Sequence, residues 1–431
     1  MLVVALLCAG SMWFYVDVVL IGYQVHDAAA HDRPRGNLSD LYPRWLGAKE
    51  LLLHHRNPYS ESVALEIQQG YYGRALDSAR PNDPKDEQGF AYPLYVVFLL
   101  APLIGIPFHY VQMLFYLLLF GLTVVSVYLW LSVIGWRLST LSKAIAILLT
   151  VASFPFVQGI KLQQLSLLVA ALLAAAAACV VSGYLFLAGA FLAFATIKPQ
   201  LAWPLAAWLL LWAASNWRER KNLTFGFGIV VLLFLAGSEV LLPGWLSSFA
   251  DALVRYHRYT RNQSVLDQLL PWAFAGTIIA AVAIVGCASQ LWQLRSEPAG
   301  SAKSGTAIAL VMALTVLVVP MSAPYNQLLL LPAVLALIRD RRFLVSGSPA
   351  RRLLCLAGFF ALAWPWIASA TLSAIYLLGS PALALSGWKW PFFSTFIIPV
   401  LIFSLMFLRA QGQTGSFAPA LGDKRPAKNS T

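Results

Sequence analysis

Long apolar runs follow one another along most of this chain, and they restrict its fold more than any other feature of the sequence. A helix that crosses a lipid bilayer needs about 20 mainly apolar residues, with a tolerated range of about 17–25. Runs near that length lie at 1–22, 108–134, 141–157, 164–181, 184–197, 199–215, 224–242, 271–293, 305–320, 324–338, 353–378 and 388–408. They predict an all-α polytopic membrane protein with about 12 transmembrane helices.

Composition argues against two other classes of protein. Apolar residues make up 59% of the chain and charged residues only 11%, which is too apolar for a soluble protein of this length. The net charge of +12 does not indicate a nucleic-acid partner, because the basic residues lie in short segments between the runs. Positive charge in such segments marks the cytoplasmic side of a membrane protein. The four cysteines lie inside apolar runs and lack metal-ligand spacing.

The distribution of charge orients the chain in the membrane. Basic clusters, which mark the cytoplasmic side, lie at 137–143, 216–222, 295–303, 339–342 and 350–352. Residues 23–89 and 243–270 are then the two large outer loops of one membrane domain, 1–409. Residues 410–431, rich in Gly, Pro, Ala and Lys, are predicted to be a disordered cytoplasmic tail. Segment 90–107 is interrupted by prolines and is predicted to re-enter or lie at the interface without crossing.

The first outer loop concentrates the polar side chains of the chain. It includes SDLYPRWLGAKELLLHHRNPYS, residues 39–60. Apolar residues recur there at helical spacing, at Leu41, Trp45, Ala48 and Leu52. This pattern predicts a short amphipathic helix on the outer membrane surface, with Ser39 or Asp40 as its N-cap and Arg44 pointing away from the apolar face. From these residues alone, Asp40 is either a helix cap or a carboxylate with a chemical role.

Three more charged residues have both a functional and a structural interpretation. Lys198 stands in ATIKPQ between two predicted spans, on the outer side. It can hold a phosphate as a point charge, or it can extend along the apolar surface toward water. Asp17 and Glu239 lie near the outer ends of spans. Acidic residues within a membrane are candidates for function, but those near the end of a span are also often solvated.

Six blocks of the chain, taken in order, resemble a known family. They are DLYPRWLGAKELLLHHRNPY (40–59), FAYPLYVVFLLAPL (90–103), LQQLSLLVAALL (162–173), KPQ (198–200), RNQS (261–264) and SAPYNQLLLLP (322–332). Their order and spacing resemble glycosyltransferase family 87, integral membrane enzymes of the GT-C superfamily that use polyprenyl-phosphate sugars. The chain departs from the family pattern at three positions. Leu94 replaces a second proline, Gln163 replaces a glycine, and Asn326 stands where some members have His or Asp.

The resemblance implies a fold and a reaction. The fold would be a GT-C-type bundle with short amphipathic helices in the first outer loop. The reaction would move a hexose, expected to be mannose, from a polyprenyl-phosphate donor to a glycolipid or glycan acceptor by an inverting single displacement. Asp40 would be the general base, on the extracytoplasmic face of a bacterial plasma membrane. No metal or cofactor is implied, since a lipid phosphate is already a fair leaving group.

The resemblance also implies which side chains bind the substrates. The departing phosphate needs a cation, for which Lys198 is the first choice and Arg258 or Arg261 the second. Side chains implied to bind the sugar or the acceptor are Tyr92, Gln164, Asn262, Gln263 and Tyr325. Segment 90–107 would form part of the groove for the prenyl chain.

Two other kinds of function remain open from the sequence. A secondary transporter or a flippase of lipid-linked sugars usually has internal repeats and charges at mid-membrane depth. This chain shows no repeat, and its charges lie toward the outer side. A non-catalytic membrane scaffold would not need a long polar outer loop with an acid at a helix start.

Overall fold

The computed structural model describes residues 1–37, 39–77, 79–260, 263–270, 272, 274–341 and 348–414, and over these ranges it contains helices and no strand. The helices of the first half are α1 Leu2–Phe14, a π-helical segment Tyr15–Leu20, α2 Ile21–Ala30, α3 Tyr42–His54, α4 Glu61–Tyr72, α5 Val96–Leu100, a 3-10 turn Ala101–Leu103, α6 Phe108–Val133, α7 Thr140–Val151, α8 Phe154–Lys161, α9 Leu165–Val181, α10 Leu185–Ala195 and α11 Pro199–Ser215.

The second half continues as a helical bundle. Its helices are α12 Trp217–Leu241, α13 Trp245–Tyr259, α14 Val265–Leu269, α15 Ala275–Leu294, α16 Ala302–Val318, a 3-10 segment Pro324–Leu330, α17 Leu331–Arg339, α18 Pro349–Leu378, α19 Pro381–Ser386, α20 Lys389–Ser394, a 3-10 turn Thr395–Ile397 and α21 Ile398–Thr414. The first residues of the predicted tail are therefore helical, and the rest of it, 415–431, lies outside the described residues.

The structure confirms a polytopic, all-helical membrane protein but not the predicted number of spans. In the described chain, six segments are long and apolar enough to cross a membrane: Leu2–Ala30, Phe108–Val133, Trp217–Leu241, Ala275–Leu294, Pro349–Leu378 and Pro381–Gln413. Helices α7 and α8 meet at a 56° bend and make a seventh if they are one span. The count of twelve is not confirmed.

Several other apolar runs form shorter helices, and some of these are buried in the bundle. Helix α16 is buried continuously from Ser304 to Leu317, so its apolar surface faces protein on all sides. Helix α10 has only 11 residues. Such a helix is about 16 Å long, whereas the hydrocarbon core is about 30 Å thick. Hydrophobicity along the sequence does not separate a helix that faces lipid from one buried in protein.

The helix predicted in the first outer loop forms as α3, but its start differs from the prediction. No side chain caps α3. The predicted cap at Ser39 or Asp40 is wrong, because both side chains bond across the molecule instead. The Ser39 hydroxyl donates to Gln163 Oε1 at 2.5 Å, and Asp40 accepts from Gln164. Arg44, predicted to point away from the apolar face, is buried.

Segment 90–107 contributes only a short helix to the fold. Helix α5 has five residues and passes directly into a 3-10 turn, so it is too short to cross a bilayer. Leu94, Val97 and Leu100 are fully buried in the core. Of this segment, Ala91, Tyr92 and Pro93 line the cavity described below. The groove wall predicted for 90–107 is therefore limited to its first residues.

The two acids predicted near the ends of spans have local partners. Asp17 lies in the π-helical segment, and Lys161 Nζ is 2.7 Å from its Oδ1. Glu239 Oε1 accepts a hydrogen bond from the Gly244 backbone N–H at 2.8 Å. Neither residue lines the cavity described below. Both contacts agree with the structural interpretation of these acids.

Helices α10 and α12 are packed backbone to backbone through two glycines. A Cβ atom added at Gly226 would overlap the carbonyl oxygen of Phe186, and one added at Gly189 would overlap that of Leu223. Small residues at helix interfaces in membranes permit this close approach. Because α10 leads directly into Lys198, the packing also fixes the inner wall of the cavity.

Replacing Gly226 with Val is expected to separate α10 from α12 and to lower the free energy of unfolding. The clash is with backbone, so the cost should reach or exceed the upper end of the about 1–3 kcal/mol that is typical of overpacking. Gly228→Val is the matched control, because a Cβ at Gly228 meets nothing within 4 Å. Thermal denaturation in detergent measures both variants. Equal melting temperatures would contradict the close packing.

Candidate active site

A cavity of about 420 Å³ lies where several helices begin or end. Its wall is built from Asp40 and Arg44 at the start of α3, residues 86–93 before α5 except Glu87 and Phe90, Gln164 before α9, residues 197–200 at the start of α11, one face of α13, and four residues after α16 (Pro320, Met321, Tyr325 and Asn326). Because helices end here, the wall carries polar side chains and free backbone groups in an otherwise apolar protein. The cavity is therefore the candidate active site.

The structure brings five of the nine predicted site residues together around this cavity. They are Asp40, Tyr92, Gln164, Lys198 and Tyr325. Arg258 and Gln263 are exposed and are not among the lining residues. Arg261 and Asn262 lie outside the described residues.

A backbone turn holds Asp40 at the inner wall. The Asp40 N–H donates to the Leu162 carbonyl at 2.9 Å. The next residue, Gln163, has a φ of 47°, in the left-handed region that favours glycine. This is the position at which the family pattern has glycine. Here the Gln163 side chain compensates by accepting the hydrogen bond from Ser39.

One amide side chain joins the carboxylate to a buried cation. Gln164 donates through Nε2 to Asp40 Oδ2 and accepts through Oε1 from Lys198 Nζ at 2.7 Å. Lys198 also donates to Ser166 Oγ at 2.8 Å, and Ser166 donates to Asn326 Oδ1 at 2.8 Å. Lys198 is only 7% exposed, and these two hydrogen-bond partners are uncharged. The Gln164 amide therefore fixes the spacing between an acid and a cation.

A second buried cation, Arg44, also lies beside the acid. Arg44 is 8% exposed and donates through Nη1 to the Asp40 carbonyl at 2.6 Å. Its Cζ is 4.4 Å from the centre of the Tyr92 ring, and Lys198 Nζ is 5.7 Å from the same centre. Lys198 Nζ is also 5.4 Å from the centre of the Tyr325 ring. Aromatic rings stabilise cations at such distances.

In the described part of the chain, neither cation forms a direct ion pair with a carboxylate, although the charge of Asp40 acts on both at longer range. Within the described residues, neither Lys198 nor Arg44 forms an ion pair, and Arg44 Nε is buried without a hydrogen-bond partner. An anionic ligand in the cavity would therefore supply the direct ion pair that each buried cation lacks. This property could not be read from the sequence around either residue.

Burial raises the pKa of Asp40 above the usual range of a carboxyl group. The charges of Arg44 and Lys198 and the Gln164 hydrogen bond oppose this effect, while the negative charge of Asp86 adds to it. The carboxylate is therefore a stronger base than an exposed aspartate. A raised pKa in a cavity is typical of a group that takes up a proton during a reaction.

Helix α13 covers the cavity with one face. Phe249, Leu253, Tyr256 and His257 line it, and they recur at the spacing of one helical face. The helix is attached to the first outer loop by Arg255, whose Nη2 donates to the Tyr59 carbonyl at 2.9 Å. Phe249 and Leu253 therefore give the cavity an apolar wall on this side.

A family comparison agrees with the blocks recognised in the sequence. The family model of glycosyltransferase family 87 matches residues 90–320, more than half of the chain. The chain belongs to glycosyltransferase family 87. No curated protein and no solved structure matches it. This family 87 protein is therefore a membrane glycosyltransferase.

The match divides the cavity of the family 87 protein into two parts. Tyr92, Gln164 and Lys198 lie inside the matched residues. Asp40 and Tyr325 lie outside them, in the blocks 40–59 and 322–332. The structure joins the two parts through hydrogen bonds, since Gln164 and Ser166 lie inside the match and their partners Asp40 and Asn326 lie outside it.

The lining residues of the family 87 protein that were not predicted from the sequence include Arg44, Asp86 and Tyr256. Arg44 could have been found, because it is four residues after Asp40 and a helix brings such residues together. Asp86 has no local pattern, because only the folding of residues 86–93 over the cavity places it there. Among the described residues, no three His, Cys, Asp or Glu side chains form a group that could hold a metal ion.

Proposed function

We propose that this protein transfers a hexose, with mannose as the first candidate, from a polyprenyl-phosphate donor to an extracytoplasmic glycolipid or glycan acceptor. Asp40 acts as the general base in an inverting single displacement. The observation that carries the proposal is the Gln164 amide, which holds the carboxylate of Asp40 and the ammonium group of Lys198 at its two ends.

The two charges suit the two ends of this reaction. Asp40 accepts the proton of an acceptor hydroxyl while that oxygen forms a bond to the anomeric carbon of the sugar. The bond from the anomeric carbon to the phosphate oxygen breaks, and its electron pair leaves with the polyprenyl phosphate. Lys198 and Arg44 stabilise the negative charge that develops on this leaving group. Attack opposite the leaving group inverts the configuration at the anomeric carbon, so a β-linked mannose donor gives an α-mannoside.

The rest of the cavity fits a lipid-linked sugar. Tyr92 and Tyr325 are aromatic surfaces on which a sugar ring can pack, beside the cation that would hold its phosphate. Phe249 and Leu253 of α13, together with Met321, offer apolar contacts to the first prenyl units. The cavity thus combines an acid, two cations and apolar wall in a volume typical of small-molecule sites.

The test is transfer by the purified protein in lipid vesicles. β-Polyprenyl-phosphate mannose and a mixed glycolipid extract are the substrates, and GDP-mannose replaces the lipid donor as a control. We expect an α-linked mannoside from the lipid donor and none from the nucleotide sugar, read by NMR of the anomeric proton. Transfer from GDP-mannose alone, or a β-linked product, would contradict the proposal.

The proposed side of the membrane is tested by cysteine labelling. Lys85→Cys, in the first outer loop, is expected to react with an impermeant maleimide added outside intact cells. Lys221→Cys, in the basic cluster at 216–222, is expected to react only after the cells are permeabilised. Both lysines are exposed, so a difference in labelling reports the side of the membrane. The reverse pattern would place the cavity on the cytoplasmic face.

A further inference from the structure

The rim of the cavity carries a second carboxylate, Asp86, which the mechanism above does not use. Asp86 lines the same cavity as Asp40 and Lys198, but it is exposed whereas Lys198 is buried. Asp86 therefore lies where the cavity is open to solvent, although the protein around it also raises its pKa through burial. Burial is the main cause that raises the pKa of Asp40, and the charge of Asp86 raises it further.

Several hydrogen bonds hold this carboxylate in place. Gln88 donates to its two oxygens, through the backbone N–H at 3.1 Å and through Nε2 at 2.8 Å. Gln88 has a φ of 53°, a left-handed conformation that is unfavourable for a side-chain-bearing residue. The Tyr72 hydroxyl donates to the Asp86 carbonyl at 2.8 Å, and Gln68 Nε2 donates to the Glu87 carbonyl at 3.2 Å. Helix α4 thus fixes the loop on which Asp86 stands.

The Asp86 carboxylate, held in this way, can still accept further hydrogen bonds from a ligand in the cavity. Its two oxygens offer about four lone-pair sites, and Gln88 occupies one on each oxygen. Adjacent hydroxyl groups of a sugar are donors that match the remaining sites, whereas a phosphate or carboxylate on the acceptor would be repelled.

We propose that Asp86 binds the acceptor, and that it selects a neutral sugar whose hydroxyl groups hydrogen-bond to the rim carboxylate. This assignment rests on the proposed function, and it extends that function by naming the chemical class of the acceptor. The donor phosphate lies at the inner wall with Lys198 and Arg44. The accepting sugar lies between Asp86 at the rim and Asp40 below it, with the reacting hydroxyl directed at Asp40.

Acceptor kinetics of Asp86→Asn test the assignment. Wild type and variant are compared with polyprenyl-phosphate mannose as donor and with methyl α-D-mannopyranoside or mannose 6-phosphate as soluble acceptors. Loss of a hydrogen bond to a charged group should raise the KM for the neutral acceptor about 10–100-fold. The wild type should prefer the neutral acceptor to the anionic one, and this preference should be smaller in Asp86→Asn. The KM for the donor should change less than the KM for the neutral acceptor. The slow transfer of mannose to water should persist at a lower rate, because loss of the Asp86 charge lowers the pKa of Asp40 and makes it a weaker base.

Glu87→Gln is the matched control. It removes the same charge at the neighbouring residue, whose side chain does not line the cavity. An unchanged acceptor KM in Asp86→Asn, or an equal rise of the acceptor KM in Glu87→Gln, would overturn the assignment of Asp86. In either case, transfer of mannose to water by the wild type would still support the proposed function. A wild type that transfers mannose to neither acceptor nor to water would overturn both the assignment of Asp86 and the proposed function.

Saturation-transfer NMR of methyl α-D-mannopyranoside, with undecaprenyl phosphate present, compares acceptor binding without turnover. Equal binding by wild type and Asp86→Asn would also overturn the assignment.

Discussion

Asp40→Asn is expected to lower the rate of sugar transfer by about 10²–10⁴-fold, the usual contribution of a positioned general base. Asparagine keeps a carbonyl oxygen that can accept the Gln164 hydrogen bond, so the wall of the cavity should persist. The variant should therefore bind the lipid donor normally and melt at the wild-type temperature. Initial rates with radiolabelled donor, combined with thermal denaturation, measure both properties.

The pH dependence of the transfer rate of the wild type is a second test of Asp40 as the general base. A general base works only when it is deprotonated, and burial raises the pKa of Asp40. The rate should therefore fall as the pH drops through a value above the ordinary pKa of an aspartate. Asp32→Asn, which changes an exposed aspartate outside the cavity, is the control and should keep the wild-type profile. Normal transfer by a folded Asp40→Asn variant would assign the base to another residue.

Lys198→Gln is expected to lower the rate by about 10²–10³-fold, because preorganised charge at a leaving group contributes an effect of that size. Glutamine can still donate to Gln164 and Ser166, but it lacks the positive charge that the departing phosphate requires. The free energy of unfolding should not fall with the rate. Removing a buried cation that has no ion pair among the described residues should leave the free energy of unfolding unchanged or higher.

This combination separates a catalytic role from a structural one. Lys85→Gln removes an exposed lysine from the first outer loop and should change neither the rate nor the stability. A Lys198→Gln variant that lost stability and activity together would show that the lysine supports the fold. A variant with normal turnover would remove Lys198 from the leaving-group site.

The sequence predicted the class of fold well because long apolar runs have few structural solutions in a membrane. It did not predict the number of spans, since α9 and α16 are as apolar as a span but are largely buried in protein, and α10 is too short to cross a membrane. The turn around Gln163 shows a similar limit. The substitution of glycine was visible in the sequence, but the left-handed backbone and the compensating Ser39 contact were not.

The sequence could predict a residue of the candidate site only where the type of that residue alone indicated its chemical role. Asp40 and Lys198 could be proposed as an acid and a cation, but they are far apart in the chain and no pattern links them. Their connection through Gln164 appears only once α8, α9 and α11 are packed together. Asp86 was missed for the same reason, because its position depends on a loop that folds back over the cavity from α4.

The attachment of α13 to the first outer loop has a consequence for how the two substrates communicate. Arg255 on α13 donates to the Tyr59 carbonyl, and the Tyr59 hydroxyl donates to the Tyr92 carbonyl at 2.7 Å. Tyr92 in turn contacts both Arg44 and Lys198. Under the proposed function, a prenyl chain bound against Phe249 or Leu253 would be linked through these two hydrogen bonds to Tyr92, whose ring both cations contact.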